Sequence, residues 1–284
     1  MPDAREFVQF IHPGGEHGVD ETGRCPWNSG NHRRKFLRGP GIFLKDGGIE
    51  DGPIEFWGEW EPPSDVQRIE APIEDGPQFV HHPFWQERRT YFGLQNTDPF
   101  VFGDKICYAI CKQRKKREGV VLAQETCLCK LAKGSVVLFG SRVEHKFALD
   151  TVFVVKSWVN HSMGSYSDLA ELVDPTYFNV TFKPWYAWID NPALTWRLYF
   201  GATVDDDVEG MFSFFPCKEA DERGSGFCRP AVELPGVVNP ELQRGKRDPY
   251  VEPDRFGGLW HAVRRQVENQ GLLLGLSAAM PPKR

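Results

Sequence analysis

Gly134–Ser162, GSVVLFGSRVEHKFALDTVFVVKSWVNHS, is the stretch whose reading decides the fold. It holds two apolar runs, Val136–Phe139 and Phe147–Val155, joined by the polar link Ser141–Lys146. Short runs rich in β-branched residues and bounded by glycine read as buried strands rather than helices. The link, with Arg142, Glu144, His145 and Lys146, reads as a hairpin loop. Asp150 interrupts the second run. A carboxylate there is costly unless it is paired or lies at an end, so two readings stand: a bulge or exposed edge position, or a carboxylate aimed into a cleft.

Upstream, Ile106, Tyr108 and Ile110 alternate with Cys107, Ala109 and Cys111. Both faces are apolar, which predicts a strand covered on both sides. The next segment, QRKKREG at Gln113–Gly119, has five charged residues in seven. It reads as a solvated turn or extension before it reads as a phosphate-binding patch.

Downstream, Ser165–Asp168 resembles a capping box for a short helix that stops before Pro175. Phe178, Val180 and Phe182 alternate with polar residues, as do Trp196, Leu198, Phe200 and Ala202 with their neighbours. Both patterns predict half-buried strands, and Met211–Phe215 predicts another apolar one. Asp254–Gly271 is the clearest helix, with Phe256, Leu259, Trp260, Val263 and Val267 on one stripe and Gly271 at the stop. The fold class expected is α+β and β-rich, with a central mixed or antiparallel sheet and a C-terminal amphipathic helix packed on one face. We expect a single domain over residues 1–284, with two sub-lobes: a polar, aromatic, site-bearing part at 1–162 and a supporting part with the final helix at 163–284.

The 284 residues are 40% hydrophobic and 26% charged, enough for a packed core. The net charge of −5 excludes a dedicated nucleic-acid coat but leaves room for a local basic cleft. No apolar run approaches the ~18 residues of a membrane helix and no leader pattern opens the chain, so a cytoplasmic protein with no membrane partner is expected. The seven cysteines are an odd number spread over a long chain, unlike a secreted disulfide framework. Cys107, Cys111, Cys127 and Cys129 lack zinc-ribbon spacing and read as core thiols.

Chemistry concentrates in the first third. The strand Phe7–Ile11 runs into His12-Pro13-Gly14-Gly15-Glu16-His17, three proton-transfer groups where a strand gives way to a glycine-rich loop. Asn31, His32, Arg33, Arg34 and Lys35 make a compact donor set suited to phosphate or carboxylate. In Ile54–Glu61, strand period places Glu55, Trp57, Glu59 and Glu61 on one face and Phe56, Gly58 and Trp60 on the other. Residues 62–94 read as a long irregular loop. Asn96 and Asp98 follow it in a turn-like Asn-Thr-Asp-Pro.

These patterns lead to an enzyme acting on a nucleotide, or on a nucleic-acid base or sugar, by hydrolysis or glycosyl transfer. His12, His17 and Glu59 are the candidate catalytic residues. Asn31, His32, Arg33, Arg34, Lys35, Trp57, Asn96 and Asp98 are the candidate substrate-binding residues. No Walker loop, dinucleotide fingerprint, kinase set or serine-hydrolase elbow occurs, so no motif indicates a cofactor, and no metal ligands are assigned. Two alternatives use the same groups: a non-catalytic binding module for a modified base or signalling nucleotide, and a carbohydrate-active hydrolase.

Overall fold

The predicted hairpin is present: Val136–Val143 and Lys146–Ser162 pair antiparallel, and Glu144 and His145 between them both take positive φ, 46° and 63°. A two-residue loop of that hand matches the twist of the strands it joins. The pairing slips at Phe139/Gly140, where Phe139 opposes Thr151 and Gly140 opposes Leu149. Asp150 is therefore the extra residue of a bulge. A Cβ on Gly140 would lie 2.3 Å from the Ala148 carbonyl oxygen, so glycine is what lets the backbones close over the bulge.

This is a computed structural model, and it describes residues 3–28, 32–88, 90–91, 96–117, 120–220 and 225–284. The hairpin belongs to a six-stranded sheet in the order Gly245–Arg247, Phe7–His12, Val136–Val143, Lys146–Ser162, Thr195–Gly201, Cys107–Tyr108. Phe7–His12 runs parallel to Val136–Val143, and the other neighbours are antiparallel. A seven-stranded mixed sheet has the order Leu273–Ala278, Phe215–Glu219, Gly48–Gly58, Lys35–Lys45, Phe79–Pro83, Ser64–Arg68, Arg24–Cys25. Leu273–Ala278 also pairs with Lys35–Lys45, so four of these strands close on themselves. The fold is thus β-rich α+β with mixed sheets and a C-terminal helix.

The apolar runs are covered on both faces, as their composition requires. Val137, Phe139, Phe153 and Val155 enter one core cluster, together with Phe10, Phe56 and Trp60. Val136, Leu138, Val152 and Val154 enter the other, with Phe7, Trp57 and Trp260. Alternation along Gly48–Gly58 and beyond holds as expected, since Phe56 and Trp60 share one cluster while Trp57 lies in the other. The helix Phe256–Asn269 buries Phe256, Trp260, Val263 and Val267. Its Trp260 Nε1 donates to the Phe212 carbonyl at 2.9 Å, and the Phe256 ring meets Phe7 edge-on at 5.6 Å.

Several segments differ from expectation, and the apolar run Met211–Phe215 enters a strand only at Phe215, the start of Phe215–Glu219. Phe178–Phe182 is a π-helical turn between short α-helical pieces, not a strand. Asp174 caps the Thr176 N–H at 2.6 Å, and prolines 175 and 184 remove ladder donors on both sides. Burial of Phe178, Val180, Thr181 and Phe182 alike explains why alternation misleads here. Tyr166–Glu171 is a 3₁₀ turn, and Ser165 makes no side-chain cap bond. Around residue 108 only Cys107–Tyr108 is strand, because the next three N–H groups go to the Asp98 carboxylate instead of a ladder. The expected long loop at 62–94 contains two strands, Ser64–Arg68 and Phe79–Pro83, that extend the larger sheet.

Candidate functional site

His12 is the last residue of the strand Phe7–His12, on the same face as Val8 and Phe10. Across from it the chain leaves the strand Gly48–Gly58 and continues into Glu59-Trp60-Glu61, where both carboxylates are buried. His12 Nδ1 lies 3.0 Å from Glu59 Oε2, although neither His12 nitrogen is aligned for a hydrogen bond to any described residue. Arg34, 1% exposed, donates from Nη1 to Glu59 Oε2 at 2.9 Å and from Nε to Asp150 Oδ2 at 2.7 Å. The bulge thus has a purpose: it turns Asp150 inward to meet a buried guanidinium. Arg229 Nη1 stands 3.8 Å from Asp150 Oδ1 and also donates to Ser141 Oγ at 3.0 Å.

His32 completes the cluster. Its Nδ1 lies 2.7 Å from Glu61 Oε1 and 3.0 Å from Glu59 Oε1. Burial works against a charge on His32, but Glu61 and Glu59 outweigh it and lift its pKa to about 10. For His12 the balance is reversed. Burial dominates and lowers its pKa despite Glu59, with Arg34 adding to the effect. Burial also opposes ionisation of Glu59, yet His12, Arg34 and His32 together hold it well below the usual carboxylate range. The centre therefore contains an ionised carboxylate behind a neutral imidazole. A negative oxygen beside Nδ1 favours the tautomer with its proton there, leaving Nε2 unprotonated, buried and without a hydrogen-bond partner among the described residues.

A cleft of about 410 Å³ opens over this cluster, with His12, His32 and Asn96 in its lining. That is the size of a small-ligand pocket. Trp185 and Trp196 form part of the wall, and Lys112, Arg114, Lys116 and Arg244 bring positive charge. Arg114 is held by the Thr195 and Ala123 carbonyls at 2.8 and 2.6 Å and lies over the Trp196 ring. Lys116 Nζ sits 4.9 Å from the Trp185 ring centroid. Lys112, Lys116 and Arg244 are exposed at the mouth.

The candidates named from sequence divide among several places. His12, His32, Arg34 and Glu59 come together, and Asn96 lines the cleft beside them, its Nδ2 3.1 Å from Cys111 Sγ. His17 belongs to a different polar cluster, with Nδ1 3.1 Å from Cys25 Sγ. Lys35 points to that side, donating to the Pro62 carbonyl at 2.7 Å, and Ser64 Oγ meets His81 Nδ1 nearby at 2.9 Å. Adjacent residues of an extended chain face opposite ways. Arg34 and Lys35 therefore part company, and with Arg33 exposed the three do not gather into one anion clamp. Trp57 is occupied on both counts: Nε1 donates to the Phe227 carbonyl at 2.8 Å, and Arg229 stacks 4.8 Å from its ring. Asp98 accepts the N–H groups of Ala109, Ile110 and Cys111 at 2.7–2.8 Å, a structural duty. Asn31 lies outside the described residues.

Sequence reading left Glu61, Arg229 and the cations and tryptophans of the cleft off the list of site residues. Glu61 had a signal, its place on the face of Glu59. The run Arg114–Lys116 had one too, but was read first as solvated. Nothing local marks Arg229, Trp185, Trp196 or Arg244. For metal binding, His32, Glu59 and Glu61 form a convergent set whose ligand atoms all lie within 4.8 Å of one another. The cysteines at 107, 111, 127 and 129 are free thiols, and burial raises the pKa of each. Comparison with family models, with curated proteins and with solved structures finds no match to this chain.

Proposed function

We propose that the protein is a hydrolytic enzyme acting on a nucleotide or a nucleic-acid strand, with the phosphate-bearing part of its substrate in the cleft over His12. The observation that carries this reading is His12 itself: a buried neutral imidazole, backed by an ionised Glu59, in the lining of a cationic and aromatic pocket. His12 Nε2 takes a proton from the attacking water, and Glu59 stabilises the imidazolium that forms. The water oxygen bonds to phosphorus as the ester P–O bond breaks, and His12 returns its proton to the leaving oxygen. Lys116 and Arg244 attract the phosphate, and Trp185 and Trp196 give flat apolar surface near a base. Arg34 and Asp150 fix Glu59 in place without touching substrate.

The test is a turnover screen of nucleoside mono- and diphosphates, cyclic nucleotides and short single strands, with neutral oligosaccharides as controls, run on the parent and on Glu59→Gln. Turnover of phosphate-bearing compounds that Glu59→Gln abolishes supports the proposal. Turnover confined to neutral oligosaccharides overturns it in favour of a carbohydrate hydrolase. Tight nucleotide binding without turnover overturns it in favour of a binding module.

A further inference from the structure

His32 Nδ1 stands between two carboxylate oxygens, Glu61 Oε1 at 2.7 Å and Glu59 Oε1 at 3.0 Å. One N–H proton serves only one of them. Glu59 Oε1 and Glu61 Oε2 are in fact buried with no hydrogen-bond partner among the described residues, on side chains that are 3% and 1% exposed. Unpaired carboxylate oxygens at that depth are expensive. The neighbouring charges do not resolve this. Glu59, Glu61 and Asp150 are three carboxylates, while Arg34 and Arg229 supply two guanidiniums. The third positive charge comes either from a proton on His32, which still leaves two carboxylate oxygens unpaired, or from a cation held in that proton's place.

We propose that His32, Glu59 and Glu61 form a binding site for one divalent transition-metal cation. A cation satisfies all three ligand atoms at once, where a proton satisfies one. Ligand bonds of about 2.0–2.2 Å at a tetrahedral angle put neighbouring ligand atoms roughly 3.4 Å apart, so the His32 contacts of 2.7 and 3.0 Å open by some tenths of an ångström when the cation replaces the proton. One imidazole nitrogen with two carboxylates suits Zn²⁺ or Mn²⁺ better than Mg²⁺ or a soft monovalent ion. The ligands come from the segment before the strand Lys35–Lys45 and from the segment after Gly48–Gly58, two strands that pair along their whole length. The pairing of Lys35 with Gly58 brings the flanking residues together, so the site is held by a ladder rather than by a free loop.

Three protein ligands leave at least one position for water, the open arrangement of catalytic rather than structural sites. His32 lines the cleft, which gives such a water a way to substrate. The catalytic part of this inference rests on the hydrolase reading; the binding part does not. A cation held by His32, Glu59 and Glu61 would supply a water of lowered pKa, and His12 would accept that water's proton and return it to the leaving oxygen as the ester bond breaks.

The experiment is a titration of the full chain, stripped of metal with EDTA and dialysed, with Zn²⁺ and separately with Mn²⁺, on the parent, His32→Gln and Glu61→Gln. Heat of binding and metal content after gel filtration are the readouts. One equivalent bound by the parent, with affinity weakened by at least about tenfold in each variant, is expected. No stoichiometric binding of either ion, or undiminished binding in both variants, overturns the site and leaves a protonated His32 bridging two carboxylates. If a variant does not fold, the spin-echo spectrum of Mn²⁺ bound to the parent decides: imidazole nitrogen coupling supports the site, and its absence overturns it. Turnover that depends on Glu59 but needs no metal would end the cation's catalytic part and spare the hydrolase reading. Stoichiometric metal without turnover of any phosphate compound would end the hydrolase reading and spare the binding site.

Discussion

Glu59 and Asp98 are two buried carboxylates close enough for the charge of one to act on the other, yet they do opposite work. Among the described residues, Asp98 is bound by main-chain N–H groups alone, from Ala109, Ile110 and Cys111. Burial drives its pKa up to about 7 against those three donors, with Glu59 pushing the same way. Glu59 is surrounded by side chains, two of them imidazoles and one a guanidinium. A main-chain donor cannot move or give up its proton, so Asp98 fixes a turn. An imidazole can do both, so Glu59 sits where a proton can be handled. The kind of partner, more than the burial, separates a structural acid from a reactive one.

The sharpest way to break this contrast is to compare Glu59→Gln with Asp98→Asn. Glu59→Gln should lower turnover by about 10²–10⁴-fold, the range for a lost acid–base group, with a smaller loss of stability. Asp98→Asn should keep turnover per folded molecule and lose roughly 1–3 kcal/mol in urea unfolding, because an amide accepts less well and its NH₂ faces donors. Asp98→Ala should lose more, since three N–H groups then have no acceptor. Equal kinetic damage in Glu59→Gln and Asp98→Asn would dissolve the distinction.

Histidines extend the comparison to pH. Burial lowers His161 to about 3, and burial together with Lys35 lowers His81 to about 2. In the unfolded chain both titrate near about 6.5. Below that pH the unfolded state binds more protons, so stability falls as pH drops, by up to about 1.4 kcal/mol per pH unit for each group. Asp98, raised above its ordinary value, works in the opposite sense over roughly the same window. The informative quantity is therefore a difference of slopes. Urea midpoints between pH 7.5 and 5 should fall less steeply for His161→Gln than for the parent, by about one proton's worth. An unchanged slope would show that His161 is not neutral in the folded protein.

Two smaller effects refine the assignment of the cleft. Arg244→Ala should raise KM by a few-fold for a phosphate-bearing substrate, leave kcat unchanged, and reduce the salt dependence of KM, as expected for an exposed charge that attracts without reacting. Trp57→Phe should cost about 1 kcal/mol, the lost hydrogen bond to Phe227, with no change in substrate affinity. A marked loss of affinity in Trp57→Phe would restore this ring as a base-stacking surface.

Legibility from sequence followed distance along the chain. The hairpin at 136–162, the strand Phe7–His12, the final helix and the two faces of the segment 54–61 were readable because each is a local pattern of period two or 3.6. The pairing of His12 with Glu59 was readable only as two rich spots, not as one contact. The segment 178–182 was misread because burial of four of its five residues erases the difference between the two periods. Lys35 and Arg34 looked like one patch because sequence neighbours always do, whereas an extended backbone sends them to opposite faces.

By itself the sequence determined which segments would be buried and where titratable groups would concentrate, since hydrophobic periodicity and the cost of burying charge act residue by residue. Only the tertiary structure decided which of those groups meet. A strand register places His32 by Glu61, a bulge turns Asp150 to Arg34, and a remote loop brings Arg229, 79 positions after Asp150, within reach of its carboxylate. Such contacts depend on long-range pairing, and long-range pairing leaves no mark on neighbouring residues from which it could be read.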